Sequence, residues 1–136
     1  MAPAALDTLI SYFRETGTRP CDYDIIATGD LGAEGHSILG ELSASLGYDL
    51  SGCPMFTDCG LLIYDRSSAD VHSGGSGCGC SASVLSAHLL PLLASCERGR
   101  MLFTATGALM SPLTVMQGLS IPGIAHLVEF RREIGE

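Results

Sequence analysis

Residues His72 to Ser83 read HSGGSGCGCSAS and run straight into a leucine-rich segment. Two thiols one residue apart, set among glycines and serines, could serve as a metal clip, as a nucleophile or as part of a ligand cradle. Structural zinc sites space paired ligands by about two to four residues and need a second pair. Cys78 and Cys80 are closer than that, and Cys53 and Cys59 are the remaining thiols that could complete such a set. Free buried cysteines are common, so neither a metal nor any other cofactor is expected. A thiolate at the start of a helix is activated by the helix dipole, which makes Cys78 and Cys80 chemically reasonable nucleophiles. A nucleophile needs a base, and His72, His88 and His126 read more simply as a turn residue, a helix-face residue and a strand residue. The other reading is a strand-to-helix turn whose glycines permit tight geometry and whose helix N–H groups favour an anion. It predicts a pocket for a small carboxylate edged by Asp30, Ser76, Cys78 and Cys80, set against the plainer possibility that the glycines only let a helix and a strand pack closely.

The elements that would position these residues alternate along the chain. MAPAALDTLISYFRETG places Leu6, Leu9, Ile10 and Phe13 on one helical face and lacks the basic start and apolar core of a signal peptide. CDYDIIATG predicts a buried strand over 24–28, ended by Gly29. EGHSILGELSASLG predicts an amphipathic helix with Ile38, Leu42 and Leu46 on its inward face and Gly47 past its end. The segment after it is irregular, with turn signals at Ser51–Gly52, Pro54 and 65–68, and with Asp58 as the cap of a short helix through Tyr64. A short strand near 69–72 is expected to lead into the glycine-rich turn, and a helix to follow from Cys80 to about Ser95, kinked at Pro91. RMLFTATG and IAHLVEFRR have strand composition, separated by a loop holding Pro112, Gly118 and Pro122. Helices alternating with strands in this way predict an α/β fold, a largely parallel sheet with sites at the carboxyl ends of its strands.

Composition narrows the chemistry further. A chain of 136 residues, 46% hydrophobic, is long enough for one domain with a substantial core. A net charge of −8 repels phosphate backbones, so nucleic acid is not an expected partner. The chain has no lysine and no asparagine, which excludes a P-loop lysine, a Schiff base and a Cys-His-Asn triad within it. The six cysteines are read as thiols. No apolar run approaches the ~20 residues of a membrane span, so any membrane contact is expected to be peripheral.

The motifs MAPAALDTL, YDIIATGDLG, TDCGLLIYD, HSGGSGCGCSAS, LFTATGALMSP and QGLSIPGIAHLVEF, taken in order, resemble the C-terminal half of the stage V sporulation protein AD family, thiolase-like proteins of spore-forming bacteria. The resemblance covers essentially the whole chain. It implies a single thiolase-like half-domain over 1–136, a mixed, mostly parallel sheet with flanking helices, and the first strand of the half missing. It also implies binding of dipicolinic acid (pyridine-2,6-dicarboxylate) and a part in its uptake into the developing spore, peripherally on the cytoplasmic side of the spore inner membrane. The implied partners are the membrane components encoded in the same operon and the N-terminal half of the family fold. Condensing enzymes of the thiolase superfamily draw a histidine and an asparagine or second histidine from this half. Aligned with the ketoacyl synthase III type, those positions fall at Gly29 or Asp30 and at Cys78, so the resemblance implies binding without condensation chemistry. An acyl-transferring condensing enzyme is the alternative. Because the first strand of the family's sheet is taken as central, its absence predicts a gap to be filled by the sheet closing up, by a second copy of the chain or by the N-terminal half as a separate polypeptide. Of these a homo-oligomer, most simply a two-fold dimer, is expected.

Overall fold

The computed structural model describes residues 1–68, 70–74, 78–109 and 111–132. Helix α1 (Ala2–Thr16) begins with Pro3 in its first turn, where a missing N–H costs nothing, and ends at Gly17 in the left-handed region. Its buried face is Leu9, Ile10 and Phe13. Strand β1 (Ile25–Thr28) is buried at every position, as its unbroken apolar run requires of a central strand.

Helix α2 (Gly32–Ser45) departs from the sequence reading. Leu39 and Ser43 face inward, whereas Ile38, Leu42 and Leu46 are 47%, 37% and 50% exposed. The helix is held at its start, where Leu31 and Gly32 donate backbone N–H groups to Asp58, and in its middle, where Gly40 lies over Phe56. That anchorage fixes its rotation about its own axis, and the stripe spaced every four residues turns beside the core instead of into it.

The second strand is also elsewhere. Strand β2 is Met55–Asp58, running directly into α3 (Cys59–Ile63), while residues 70–73 form turns and residue 69 lies outside the described residues. A four-residue edge strand following Pro54 is too short for its alternation to register as a pattern. The cap assignment holds: the Asp58 side chain accepts from Gly60 N at the start of α3.

The helical stretch after the glycine-rich turn consists of α4 (Cys80–Val84), one π-helical segment at Leu85–Leu89, and α5 (Leu90–Ser95). Pro91 has no N–H and its ring crowds the carbonyl four residues back, and the widened π segment stands where that conflict arises. Strands β3 (Arg100–Ala108) and β4 (Gly123–Arg131) follow, and the arm between them contains α6 (Pro112–Met116) where a plain loop was expected.

The sheet order is β2-β1-β3-β4, with β1 parallel to both neighbours and β3 antiparallel to β4. β1 pairs directly with β3, Ile25 beside Met101 and Thr28 beside Thr104, so the expected interior gap does not exist. The sheet has closed up across the place of the missing strand, and its unpaired edges belong to β2 and β4. One face of the sheet, through Ile26 and Leu102, packs on α1 and α2 with Tyr23 and Leu39. The other, through Ile25, Ala27, Met101 and Phe103, packs on α3, α4 and α5 with Cys59, Val84 and Leu93. Each large side chain so buried contributes about 1.5–3 kcal/mol of transfer free energy.

Candidate ligand site at the carboxyl end of the sheet

Register sets Asp58, Thr28 and Thr104 side by side across β2, β1 and β3. Asp58 is fully buried and every contact it makes is with a donor. Its Oδ2 accepts from Thr28 Oγ1 at 2.6 Å and Leu31 N at 2.8 Å, and its Oδ1 from Gly32 N at 3.1 Å and Gly60 N at 2.9 Å. One carboxylate therefore meets the N-terminal N–H groups of two helices, α2 and α3, which favour negative charge there. Gly32 has φ +68, and a Cβ on it would lie 2.9 Å from the Ser73 carbonyl oxygen, so only glycine permits this close start to α2. Thr104 Oγ1, in the same row, is buried without a hydrogen-bond partner among the described residues.

Asp30 follows β1 directly and is half-buried. Thr106 Oγ1 donates to its Oδ1 at 2.9 Å and accepts from its backbone N–H at 3.2 Å. Burial pushes the Asp30 carboxyl above the usual range, the Thr106 hydroxyl opposes this, and the nearby Asp58 adds to it. The turn that carries Asp30 is tight: a Cβ on Gly29 would lie 3.0 Å from Thr106 N and 3.4 Å from Ser81 Cβ.

The four residues expected to edge the pocket fare differently. Cys78 is exposed and Asp30 half-buried. Cys80 is only 5% exposed and packs in the core with Cys59 and Ala27, so it lies beneath the site and not at its rim. Ser76 lies outside the described residues. Burial, with Asp58, Cys80 and Asp30 nearby, pushes the Cys59 thiol up to about 12. His72 sits on a turn with φ +51. His88 lies on the π segment and lines an apolar cavity of about 370 Å³ with Leu62, Ile63 and Val84, and His126 is on β4. Among the described residues no histidine is hydrogen-bonded to a cysteine, and no three His, Cys, Asp or Glu side chains gather as metal ligands do. Sequence reasoning missed Thr106, which lies 76 residues from Asp30, and the role of Asp58 at α2, 26 and 27 residues away. No local pattern signals either pairing.

An open α/β sheet with flanking helices, its carboxyl end gathering a half-buried aspartate and an exposed cysteine, is compatible with part of a thiolase-like fold. The family model described as "Stage V sporulation protein AD (SpoVAD)" matches residues 1–131, and the chain belongs to that family. It is 42% identical over 135 residues to the stage V sporulation protein AD of Bacillus subtilis (strain 168), covering 99% of this chain and 39% of that protein. The chain thus spans well under half the length of this curated relative, matching the expectation of a partial region. Among the described residues no helix is long and apolar enough to cross a membrane.

Proposed function

We propose that the chain is a non-catalytic binding module that holds dipicolinic acid at the carboxyl end of its sheet and supports uptake of that acid into the developing spore. It would act with the membrane components of the same operon, peripherally on the cytoplasmic side of the spore inner membrane. The observation that carries the reading is Asp30, a half-buried carboxylate fixed by Thr106, at one of the two positions, Gly29 or Asp30, where the resemblance implies that a condensing enzyme would carry a histidine. A carboxylate there opposes the developing negative charge of a condensation transition state. Asp30, Ser76 and Cys78 are the proposed contacts, with Thr106 orienting Asp30 and Cys80 supporting the turn from the core. The remaining contacts would come from the N-terminal half of the family fold. Exposed Leu113, Met116, Leu119, Ile124 and Val128 on the β3–β4 arm and on β4 offer an apolar surface for that half or for a second copy of the chain.

Isothermal titration of dipicolinate into the chain, alone and with the N-terminal half supplied, tests the reading. Saturable binding weakened by Cys78→Ala, with the thermal transition unchanged, is the expected result. Absence of binding in both samples, or an acyl-thioester on a cysteine after incubation with acyl-CoA, would sink it.

A further inference from the structure

The proposed site contains an electrostatic conflict whose resolution constrains how an anion enters. On β3 the neighbour of Asp30 is uncharged Thr106. The β2–α3 junction brings Asp58, whose carboxylate raises the cost of charge at Asp30, and Cys59, whose thiol burial keeps protonated. From α4 comes Cys80, beside Cys59. On α2, His36 lies near Asp58 and stacks on Phe56, and burial holds its imidazole in the neutral form. Glu34, also on α2, has Ser73, Arg66 and His72 of the 65–74 loop around it. Among the described residues the ion pairs are Arg98–Asp24, Arg100–Glu129 and Arg131–Glu129, so no cation within ion-pair distance neutralises Asp30.

A small dicarboxylate entering beside Asp30 would meet that carboxylate with Asp58 behind it. Asp58 accepts in all four of its hydrogen bonds, two at each oxygen, so both oxygens are fully engaged. Asp30 differs: Oδ1 accepts from Thr106, while Oδ2 has no hydrogen-bond partner among the described residues and the side chain is half open to solvent. We infer that the site takes up its dicarboxylate together with one proton from solvent, carried on Asp30 Oδ2, so that the Asp30 carboxyl donates a hydrogen bond to a ligand carboxylate. The inference rests on the proposed binding function. Carboxyl–carboxylate hydrogen bonds of this kind are short and strong, and here the bond replaces a repulsion. By linkage, a proton bound with the ligand makes affinity rise as pH falls and disappear as pH rises through the midpoint of the free group.

Calorimetric titration of pyridine-2,6-dicarboxylate at about pH 6 and about pH 8, in two buffers of different ionisation enthalpy, reads both consequences. Expected are uptake of close to one proton per ligand and an affinity that falls roughly tenfold per pH unit above the Asp30 midpoint. Asp30→Asn, whose amide donates without titrating, should bind with the same affinity at both pH values and take up no proton. Thr106→Val, which removes a hydrogen bond favouring the ionised carboxylate, should move the midpoint upward. Binding without proton uptake, or a pH slope that survives Asp30→Asn, overturns the inference and leaves the binding function standing. Loss of binding by Asp30→Asn with an intact thermal transition also overturns it. No binding of the unaltered chain at either pH overturns both.

Discussion

The two ends of the sheet hold carboxylates in opposite ways. At the amino end of β1 and β3, Glu129 receives Arg100 and Arg131, each at 2.8 Å, together with the Tyr12 hydroxyl at 2.8 Å. Arg100 also lies 4.5 Å over the Tyr23 ring, and Asp24 accepts the backbone N–H groups of Arg98 and Arg100. Burial would raise the Glu129 carboxyl, but its bonds from Arg131, Tyr12 and Arg100 outweigh this and hold it down at about 2. At the carboxyl end no arginine reaches Asp30 or Asp58 within ion-pair distance among the described residues, and the stabilising groups are hydroxyls and helix N–H dipoles. A carboxylate pinned by permanent cations is held in its charged form, whereas burial raises the carboxyl of Asp30 and its hydroxyl partner opposes this only in part. One end is built as a clasp, the other as a cap without a cation among the described residues.

The largest expected effect removes the carboxylate that most resembles the clasp. Asp58→Ala deprives α2 and α3 of their cap and leaves buried donors unpaired, so it should cost about 3 kcal/mol or more in urea unfolding. A loss below about 1 kcal/mol would mean that the dipolar end is not structurally organised by this residue. Next comes Glu129→Gln, expected to cost about 1 kcal/mol near neutral pH, since the pair is half-buried and Tyr12 loses a charged partner as well. Glu129 is depressed in the folded chain, so its contribution is present above the ordinary carboxyl range and lost as pH falls from about 5 towards 2. The acid limb of the stability profile should therefore flatten in Glu129→Gln, and an unchanged limb would dissolve the contrast. Asp30 has the opposite sign. Its folded value is raised, so its contribution is present at low pH and is lost as pH rises through that value. Asp30→Asn should change stability least, within about 0.5 kcal/mol at neutral pH, with a shallower decline as pH rises through the Asp30 range. Thermal melts across pH check this, and a steeper decline in the variant would reverse the assignment.

What could be read in advance follows from distance along the chain. α1, β1, β3 and β4 carry long or unbroken patterns, and Asp58 as the cap of α3 is a two-residue signal. β2 was missed because four residues after a proline hold too little alternation, and the segment proposed in its place, 69–72, has turns at 70–72. The inward face of α2 was misjudged because Ile38, Leu42 and Leu46 form a better stripe than Leu39 and Ser43, and only the tertiary anchor at Asp58 overrides it. Of the site, the position of Asp30 after a strand was visible. The hydroxyl that orients it was not, and the burial of Cys80 depends on which way α4 faces the sheet.

Thr8 on the first helix donates to the Ala125 carbonyl at 3.0 Å, and Tyr12 reaches Glu129, each pair 117 residues apart. Leu9 and Phe13 bury their surface in a core that includes Leu102 and Ala125. During synthesis that helix can meet Tyr23, Leu39 and Tyr48 early, but its contacts with β4 must wait until almost all of the following chain has left the ribosome. Contacts this remote slow the search for the folded state and lengthen the period in which the nascent chain needs shelter from aggregation.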